Sequence, residues 1–244
     1  MRLALPQGLG PFSLQGKTAL ISGANGVLGR ALALALAALG AKLILLAPRA
    51  EELEKLDDEI RAAGGMPALI VPLDITKSKE LASLGAMLAT QYSALDILVV
   101  NAAIFGHFAP IAHADSKEWD NVLATNLTAP QRLLASVQPL LLQAEAARVV
   151  FVSCAAGQEP QAYGGAYAVS KAGFNMLARL YALENNTGAL KANLVDPSAF
   201  ASPIREAGYP GEDSSHLPDV RQIAARLLYL CSPDLPHHGE YFQL

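Results

Sequence analysis

Tyr167 and Lys171 form the pair whose residue types and spacing most directly suggest chemistry. Residues four apart on a helix share one face, with about 5–6 Å between their Cβ atoms. An ammonium group at that distance favours the ionised phenol and lowers the tyrosine pKa from its ordinary value of about 10. Such a phenol can exchange a proton with a carbonyl or alcohol oxygen near neutral pH. The alternative interpretation is an exposed tyrosine–lysine pair on a helix surface.

Composition and charge narrow the classes of function. The 244 residues are 52% hydrophobic and 16% charged, which supplies material for a large buried core. A net charge of −4 without a Lys/Arg run argues against a nucleic-acid partner. No apolar stretch is long enough to span a bilayer and no secretory signal is evident, so we expect a cytoplasmic protein without a membrane partner. The two cysteines form no disulfide framework, and no ligand spacing indicates a metal site.

Apolar runs rich in β-formers alternate with helical stretches along the chain. Continuous apolar strands imply burial on both faces, and strand–helix alternation implies parallel pairing. The sequence therefore predicts an α/β fold, a doubly wound parallel sheet flanked by helices on both faces, in one domain over residues 1–244. Strands are predicted at residues 18–22, 42–47, 68–72, 97–100, 148–153, 192–195 and 241–243. Helices are predicted at residues 28–39, 50–63, 78–92, 116–145 with a break near Pro130, 165–184 and 219–231, and a substrate-side loop or short helices at residues 198–218.

A glycine-rich turn, Ser-Gly-Ala-Asn-Gly-Val-Leu-Gly, follows the first predicted strand at residues 22–29. A turn of this kind that opens a helix places free backbone N–H groups where a pyrophosphate can bind. The alternative is a turn that only ends a strand. Its position between a strand and a helix favours nucleotide binding. The expected contacts are Gly23, Asn25, Gly26, Val27, Leu28 and Gly29.

With these features the chain resembles the short-chain dehydrogenase/reductase family along essentially its whole length. The resemblance implies a Rossmann-type fold, a nicotinamide cofactor and hydride transfer between an alcohol and a ketone, aldehyde or enoyl-type carbonyl. In the family's usual first motif, Thr-Gly-x-x-x-Gly-x-Gly, Ser22 takes the threonine place and Gly23 and Gly29 match. Val27 stands where the middle glycine is expected, so its side chain should crowd the phosphates and weaken cofactor binding.

Further motifs resemble the family's cofactor contacts. Asp74 corresponds to the aspartate that usually contacts the adenine ring, although a helix cap explains it equally well. Asn101 and Ala102 lie in a run that resembles Asn-Asn-Ala-Gly, with Val100 and Ala103 in place of the first asparagine and the glycine. The resemblance therefore assigns Asp74, Asn101 and Ala102 to the cofactor site.

The end of the second predicted strand, Leu-Ala-Pro-Arg at residues 46–49, is expected to choose between NAD and NADP. An acidic residue there would bond the ribose 2′-hydroxyl, and an arginine would hold a 2′-phosphate. Ala47 lacks the acid, and Arg49 lies one place past the family's usual arginine position. We therefore favour NADP over NAD, with a solvated surface role for Arg49 left open.

The family's active site is a Ser–Tyr–Lys set assisted by an asparagine. The resemblance makes Tyr167 the general acid/base, assigns Lys171 to the nicotinamide ribose and to lowering the tyrosine pKa, and gives Asn126 a relay water. The serine's usual place, thirteen residues before the tyrosine, is Cys154. Its neighbour Ser153 should point the opposite way at a strand end. A thiol is a weak donor toward a substrate oxygen, and burial as a small core residue is the alternative role for Cys154.

The segment at residues 197–202 resembles the family's Pro-Gly-x-x-x-Thr stretch, which contacts the nicotinamide. Pro197 matches, Ser198 replaces the glycine, and Ser202 takes the threonine place with its hydroxyl kept. The expected substrate pocket is mostly neutral, which favours an uncharged carbonyl or alcohol. Its expected lining is His107, Phe108, Gln158, Tyr163 and residues 198–218, with Arg205 as its one candidate for binding a carboxylate.

Two functions follow from these residues. The favoured one is an NAD(P)-dependent oxidoreductase acting on a small-molecule carbonyl or alcohol, since Asn126, Tyr167 and Lys171 are retained. Its activity would be weakened by Cys154 and Val27. The alternative is a catalytically impaired member that serves as a nucleotide-binding or assembly module. A methyltransferase that uses S-adenosylmethionine is disfavoured because the second strand ends without an acid. The family resemblance also implies a homodimer or homotetramer.

Overall fold

Short apolar runs form the strands of one parallel sheet in the computed structural model, which describes residues 2–4 and 12–244. The strands are β1 Arg2–Ala4, β2 Thr18–Ser22, β3 Lys42–Ala47, β4 Leu69–Pro72, β5 Ile97–Val100, β6 Arg148–Val152, β7 Lys191–Asp196 and β8 Tyr241–Gln243. Their order in the sheet is β1-β8-β7-β6-β5-β2-β3-β4. The predicted doubly wound parallel sheet is therefore confirmed. The edge strand β1 is absent from the prediction, because three residues are too few to show a period.

Helices cover both faces of the sheet. They are α1 Val27–Ala38, α2 Ala50–Ala62, α3 Ser78–Ala89, α4 Ser116–Leu123, α5 Ala129–Leu142, α6 Gly165–Glu184, α7 Pro203–Gly208 and α8 Val220–Leu227. One core lies between the sheet and α1, α2 and α8, and the other lies between the sheet and α3, α5 and α6. Neighbouring residues of β2 alternate between them, since Ile21 packs in the first core and Leu20 in the second. This burial on both faces explains the continuous apolar strands.

The strand order reverses between β2 and β5. From β2 the chain builds outward through β3 and β4, and then returns to add β5, β6 and β7 on the other side. The loops that follow β2 and β5 therefore separate at the carboxyl edge of the sheet and leave a crevice. Ligands of open parallel sheets bind at such a switch point.

The predicted division of residues 116–145 into two helices near Pro130 is confirmed by α4 and α5. The segment between them, Ala124–Thr128, is π-helical, and the Ala129 N–H donates to the carbonyl of Ala124. Pro130 lies in the first turn of α5, where its missing N–H costs little. The actual irregularity is the π-helical segment, which contains Asn126, and such segments are frequent at functional sites.

The close contact of α3 with α5 gives a first prediction. A Cβ on Gly85 would lie 1.7 Å from the carbonyl oxygen of Ser136, so an added methyl group would push the two helix backbones apart. We expect Gly85→Ala to lower the free energy of unfolding by about 3 kcal/mol, because overpacked cores relax only by moving backbone. Urea unfolding measures the change. Gly188→Ala is the control, because its added Cβ would lie 3.9 Å from the nearest atom. Equal urea midpoints for the two variants would contradict the expectation.

No helix in residues 2–4 and 12–244 is long and apolar enough to cross a membrane. The same residues contain no group of three or more histidine, cysteine, aspartate or glutamate side chains that could hold a metal ion.

Candidate active site

A cavity of about 890 Å³ opens at the carboxyl edge of the sheet, where β2, β5, β6 and β7 end. Most of the residues predicted for the site line it together. They are Gly23, Asn25, Gly26, Val27, Leu28, Arg49, Asp74, Asn101, Ala102, Cys154, Tyr167, Lys171, Pro197 and Ser202. Gly29 and Asn126, which were also predicted to contact ligands, lie behind this surface and support it.

The glycine turn is shaped by close contacts that leave no room for side chains. Gly23 has φ of +65°, and a Cβ there would lie 2.8 Å from the Cα of Ala102. A Cβ on Gly29 would lie 2.2 Å from the carbonyl oxygen of Gly23. Gly29 therefore lets α1 approach the end of β2 and sets the shape of the turn. Its contact with the cofactor stays a prediction.

The first turn of α1 fits a pyrophosphate group. The helix begins at Val27 after Gly26, which is exposed and provides no side-chain cap, and no acidic residue lies in the first turn. Free N–H groups and an uncompensated positive helix end favour an anion there. Val27 lines the cavity and is half-buried. Its predicted crowding of the phosphates stays a prediction.

Asn101 holds the glycine turn against the end of β5. Its Nδ2 donates to the carbonyl oxygens of Ser22 at 3.2 Å and of Gly23 at 3.1 Å. The Ser22 hydroxyl accepts from the Asn101 N–H at 3.0 Å and donates to the carbonyl of Val99 at 3.2 Å. Val100, in place of the family's first asparagine, is buried in the second core. The substitution of that asparagine by Val100 therefore affects core packing, whereas the retained Asn101 holds the glycine turn.

The far end of the cavity carries the two groups predicted to meet the adenosine part. Arg49 is 69% exposed, and its guanidinium lies 2.6 Å from Oε1 of Glu52. The Asn25 amide donates to Oε2 of the same glutamate at 2.7 Å. Asp74 Oδ1 accepts from the N–H of Thr76 at 2.9 Å and from its hydroxyl, which lowers the pKa of Asp74. Asp74 therefore both caps a turn and lines the cavity.

Cys154 faces the phenol, as counting from the tyrosine predicts. Its Sγ lies 3.5 Å from the hydroxyl oxygen of Tyr167. Ser153 points away, and its hydroxyl donates to Oδ1 of Asn175. The thiol is half-buried and lines the cavity, which disagrees with the alternative of a buried core residue. Its role as a donor to the substrate stays a prediction.

Lys171 is buried beneath the tyrosine. Its Nζ donates to the carbonyl of Val152 at 3.1 Å and lies 5.9 Å from the centre of the Tyr167 ring. Burial lowers the pKa of the Lys171 ammonium. The bond to the end of β6 fixes the ammonium between the sheet and α6, next to the cavity.

The expected lowering of the tyrosine pKa is wrong for the protein without ligands. Burial raises the pKa of Tyr167 well above its ordinary value, and the neighbouring Cys154 and Asp196 raise it further. Burial also lowers the pKa of the Lys171 ammonium, so desolvation disfavours the charged form of both groups. The phenol is therefore held protonated, and its donation of a proton requires a group that stabilises the phenolate.

Asn126 ties the loop after β5 to α6. Its Oδ1 accepts from the Ile104 N–H at 2.9 Å, and its Nδ2 donates to the Ile104 carbonyl at 2.8 Å and to the Ser170 hydroxyl at 3.0 Å. Ser170 in turn donates to the carbonyl of Tyr167 at 2.7 Å. Both amide protons of Asn126 are thus used within the protein. The side chain positions the helix that carries the tyrosine, and its relay water stays a prediction.

The segment after β7 keeps the family's backbone shape with a serine. Ser198 has φ of +60°, a left-handed conformation that glycine adopts freely and that costs other residues about 1 kcal/mol or more. Its N–H donates to Asp196 Oδ1 at 2.9 Å, and its hydroxyl donates to the carbonyl of Leu244. Ser202 caps α7 by accepting from the N–H of Arg205 at 3.2 Å. These bonds offset the strain and place Pro197 and Ser202 at the cavity wall.

The substrate side differs from the prediction. Phe108 lines the cavity as expected, but His107, Gln158 and Tyr163 do not. His107 is turned to solvent and pairs with Glu118. Within the predicted segment 198–218, Ile204 and Tyr209 line the cavity. The prediction missed Phe105 and Gln161, because residues in irregular loops show no periodicity that indicates which way their side chains point.

Comparison with known proteins agrees with this geometry. The family model described as short chain dehydrogenase matches residues 17–213. A solved structure from Pseudomonas syringae, assigned to the short-chain dehydrogenases, is 30% identical with a TM-score of 0.93 and covers 100% of this chain and 99% of its own. A second, from Escherichia coli CFT073 in complex with NADPH, is 28% identical with a TM-score of 0.90 and covers 94% and 96%.

The uncharacterized oxidoreductase YciK of Escherichia coli K12 is 29% identical over 223 residues, which cover 91% of this chain and 88% of YciK. The family model covers most of the chain, and the sheet, the glycine turn and the Tyr–Lys helix are the family's. The chain is therefore an oxidoreductase that belongs to the short-chain dehydrogenase family.

Proposed function

We propose that this protein is an NADP-dependent oxidoreductase that interconverts an alcohol and a ketone or aldehyde, with Tyr167 as the general acid/base. One observation carries the proposal. The protonated phenol, the Cys154 thiol 3.5 Å from it and the buried Lys171 share a single cavity with the glycine turn and the open end of α1. When bound, the nicotinamide supplies or accepts the hydride. The chain's own residues position the reactants and move the proton.

In the direction of reduction, Tyr167 donates its hydroxyl proton to the carbonyl oxygen. Burial keeps the phenol protonated before this step. The phenolate that remains is stabilised by the Lys171 ammonium, which the Val152 carbonyl holds next to the ring. The Cys154 thiol supplies a weak hydrogen bond to the same substrate oxygen. Oxidation of an alcohol uses the same groups in reverse.

Three observations support NADP as the cofactor. β3 ends at Ala47 without an acid that could bond a ribose 2′-hydroxyl. Arg49 lines the adenosine end of the cavity with most of its side chain exposed. The similar protein from Escherichia coli CFT073 was solved with NADPH. A 2′-phosphate would replace Glu52 as the partner of the guanidinium.

Replacing Arg49 tests this assignment. We expect Arg49→Ala to weaken NADPH binding by about 10-fold and to leave NADH binding unchanged, because only NADPH carries the phosphate that a guanidinium bonds. Fluorescence titration of each cofactor gives both dissociation constants. Arg221→Ala removes an equally charged side chain on α8 that does not line the cavity and should change neither. Equal weakening of both cofactors by Arg49→Ala would contradict the assignment.

The Cys154 thiol is the reason to consider a second candidate function. Cys154 replaces the family's serine, so a member that binds NADPH without turnover, as a nucleotide-binding or assembly module, is the alternative. NADPH oxidation at 340 nm over a panel of neutral ketones and aldehydes separates the two. Turnover supports the enzyme, whereas NADPH binding without turnover across the panel supports the alternative. A single domain, a cytoplasmic location and a homodimer or homotetramer stay predictions from the sequence.

A further inference from the structure

We propose that the substrate is a neutral carbonyl compound with an aromatic or conjugated ring next to the carbonyl group. The inference rests on the proposed function and names its substrate class. It comes from the half of the cavity beyond Tyr167, which three aromatic rings and one neutralised arginine surround. The reaction is the one proposed above, and only the identity of its substrate is added.

A continuous row of aromatic rings starts at the phenol. The Phe105 ring lies 4.8 Å from the Tyr167 ring, and Phe108 meets Phe105 edge to face at 5.0 Å. Tyr209 extends the row, 6.1 Å from Phe108 and again edge to face. Phe108 and Tyr209 are 39% and 37% exposed, so both rings are accessible from the cavity side. Such rings offer both faces and edges to another planar ring.

The row is fixed by two distant loops that pack together. Phe105 and Phe108 follow β5, whereas Tyr209 ends α7 in the segment after β7. A Cβ on Gly208 would lie 2.9 Å from Cζ of Phe105, so α7 rests directly on that ring. A carbonyl oxygen that reaches the Tyr167 hydroxyl therefore has its adjoining group beside Phe105 and Phe108. A flat group fits this wall with more contact than a chain or a puckered ring.

The charges of this half of the cavity disfavour an acidic substrate. Arg205, the cation there, is held by Glu212 through two bonds, Nε to Oε2 at 2.7 Å and the second amino group to Oε1 at 2.6 Å. Its guanidinium also lies 3.8 Å from the centre of the Tyr209 ring. A substrate carboxylate would have to displace Glu212 and would face the buried Asp196. Bidentate arginine–carboxylate pairs are strong, so the arginine is not available.

Three ligands that differ in one feature each test the proposal by binding. Isothermal calorimetry in the presence of NADP compares acetophenone with benzoylformate, which carries a carboxylate in place of the methyl group, and with cyclohexyl methyl ketone, which lacks the aromatic ring. We expect acetophenone to bind at least 10-fold more tightly than benzoylformate and several-fold more tightly than the cyclohexyl ketone. Initial rates with NADPH give KM for the same three compounds.

Two variants connect these preferences to the wall and to the ion pair. Phe108→Leu keeps an apolar side chain but removes the ring, and it should bring acetophenone and cyclohexyl methyl ketone to equal affinity. Glu212→Gln frees Arg205 and should raise benzoylformate affinity about 10-fold, since a charged hydrogen bond to the substrate becomes available. Glu206 is an exposed residue of α7, the helix that carries Arg205, and Glu206→Gln should leave all three affinities unaltered. Circular dichroism confirms that each variant is folded.

The outcomes separate the two proposals. If the fluorescence titration shows that the protein does not bind NADP, the proposed function is overturned. A protein that binds NADP but binds benzoylformate as tightly as acetophenone, or binds none of the three, overturns the substrate class. Preference for the cyclohexyl ketone, or a Glu212→Gln variant without gain on benzoylformate, likewise overturns it.

Discussion

Replacing Tyr167 by phenylalanine is expected to lower kcat for carbonyl reduction by about 1000-fold, within the range that one general acid supplies. The variant loses only the hydroxyl, and the ring keeps its packing against Phe105 at 4.8 Å. The glycine turn and the open end of α1 are untouched, so the dissociation constant of NADPH should change by less than about threefold, well below 1 kcal/mol. Steady-state rates at 340 nm and a fluorescence titration measure the two quantities.

Tyr163→Phe is the matched control. Its side chain is 62% exposed and does not line the cavity, although it lies only four residues before Tyr167. Loss of the Tyr163 hydroxyl in this variant should leave kcat unchanged. Full activity of Tyr167→Phe would remove the phenol from the mechanism, and a large loss of NADPH binding would show that the variant is damaged elsewhere.

The second large effect is a gain. We expect Cys154→Ser to raise kcat by about 10-fold, because a hydroxyl donates a hydrogen bond to a developing oxyanion better than a thiol does. The thiol already lies 3.5 Å from the Tyr167 hydroxyl, so the substituted group would face the same substrate oxygen. Its effect should appear in kcat and less in KM, since the bond strengthens in the transition state.

Two controls separate donor strength from packing. Cys154→Ala removes the donor and should lower kcat below that of the native protein. Cys231→Ser changes the other cysteine, which is buried in the first core and whose pKa burial raises to about 12, and should not raise kcat. If serine and alanine at position 154 give the same rate, the thiol has no donor role and the proposal for Cys154 fails.

Departures from the family's motifs have different physical meanings once the contacts are known. Val100 fills the core, while Asn101 and Ser22 keep their hydrogen bonds between the glycine turn and the end of β5. Ser198 accepts a left-handed backbone and compensates through two hydrogen bonds. Cys154 is the departure that faces the reacting atoms. The sequence alone already singled out Cys154, and the contacts show why Val100 and Ser198 matter less to the reacting atoms.

Local patterns were enough to predict most of the sheet and the positions of the chemistry. Strands buried on both faces, such as β3 and β6, are continuous apolar runs, and a run of that kind is visible without knowledge of its neighbours. The glycine turn and the Tyr167–Lys171 pair are also local, because a turn and one helix face each require only a few consecutive residues. Tyr167 and Lys171 were therefore predicted correctly as neighbours, whereas the resemblance to the family placed Cys154 beside them.

The tertiary structure alone decided the rest, because the deciding contacts join segments far apart in the sequence. Burial raises the pKa of Tyr167 although a lysine lies one turn away, and no spacing rule reports desolvation. Phe105 and Tyr209 form one wall only because α7 folds over the loop after β5. The sequence suggests that Arg205 is a cation available to a substrate, yet in the structure its guanidinium forms two hydrogen bonds to Glu212. Residue types and short periods thus determined the fold and the candidate reacting groups, whereas long-range packing determined the surroundings of these groups and the side chains that line the cavity beside them.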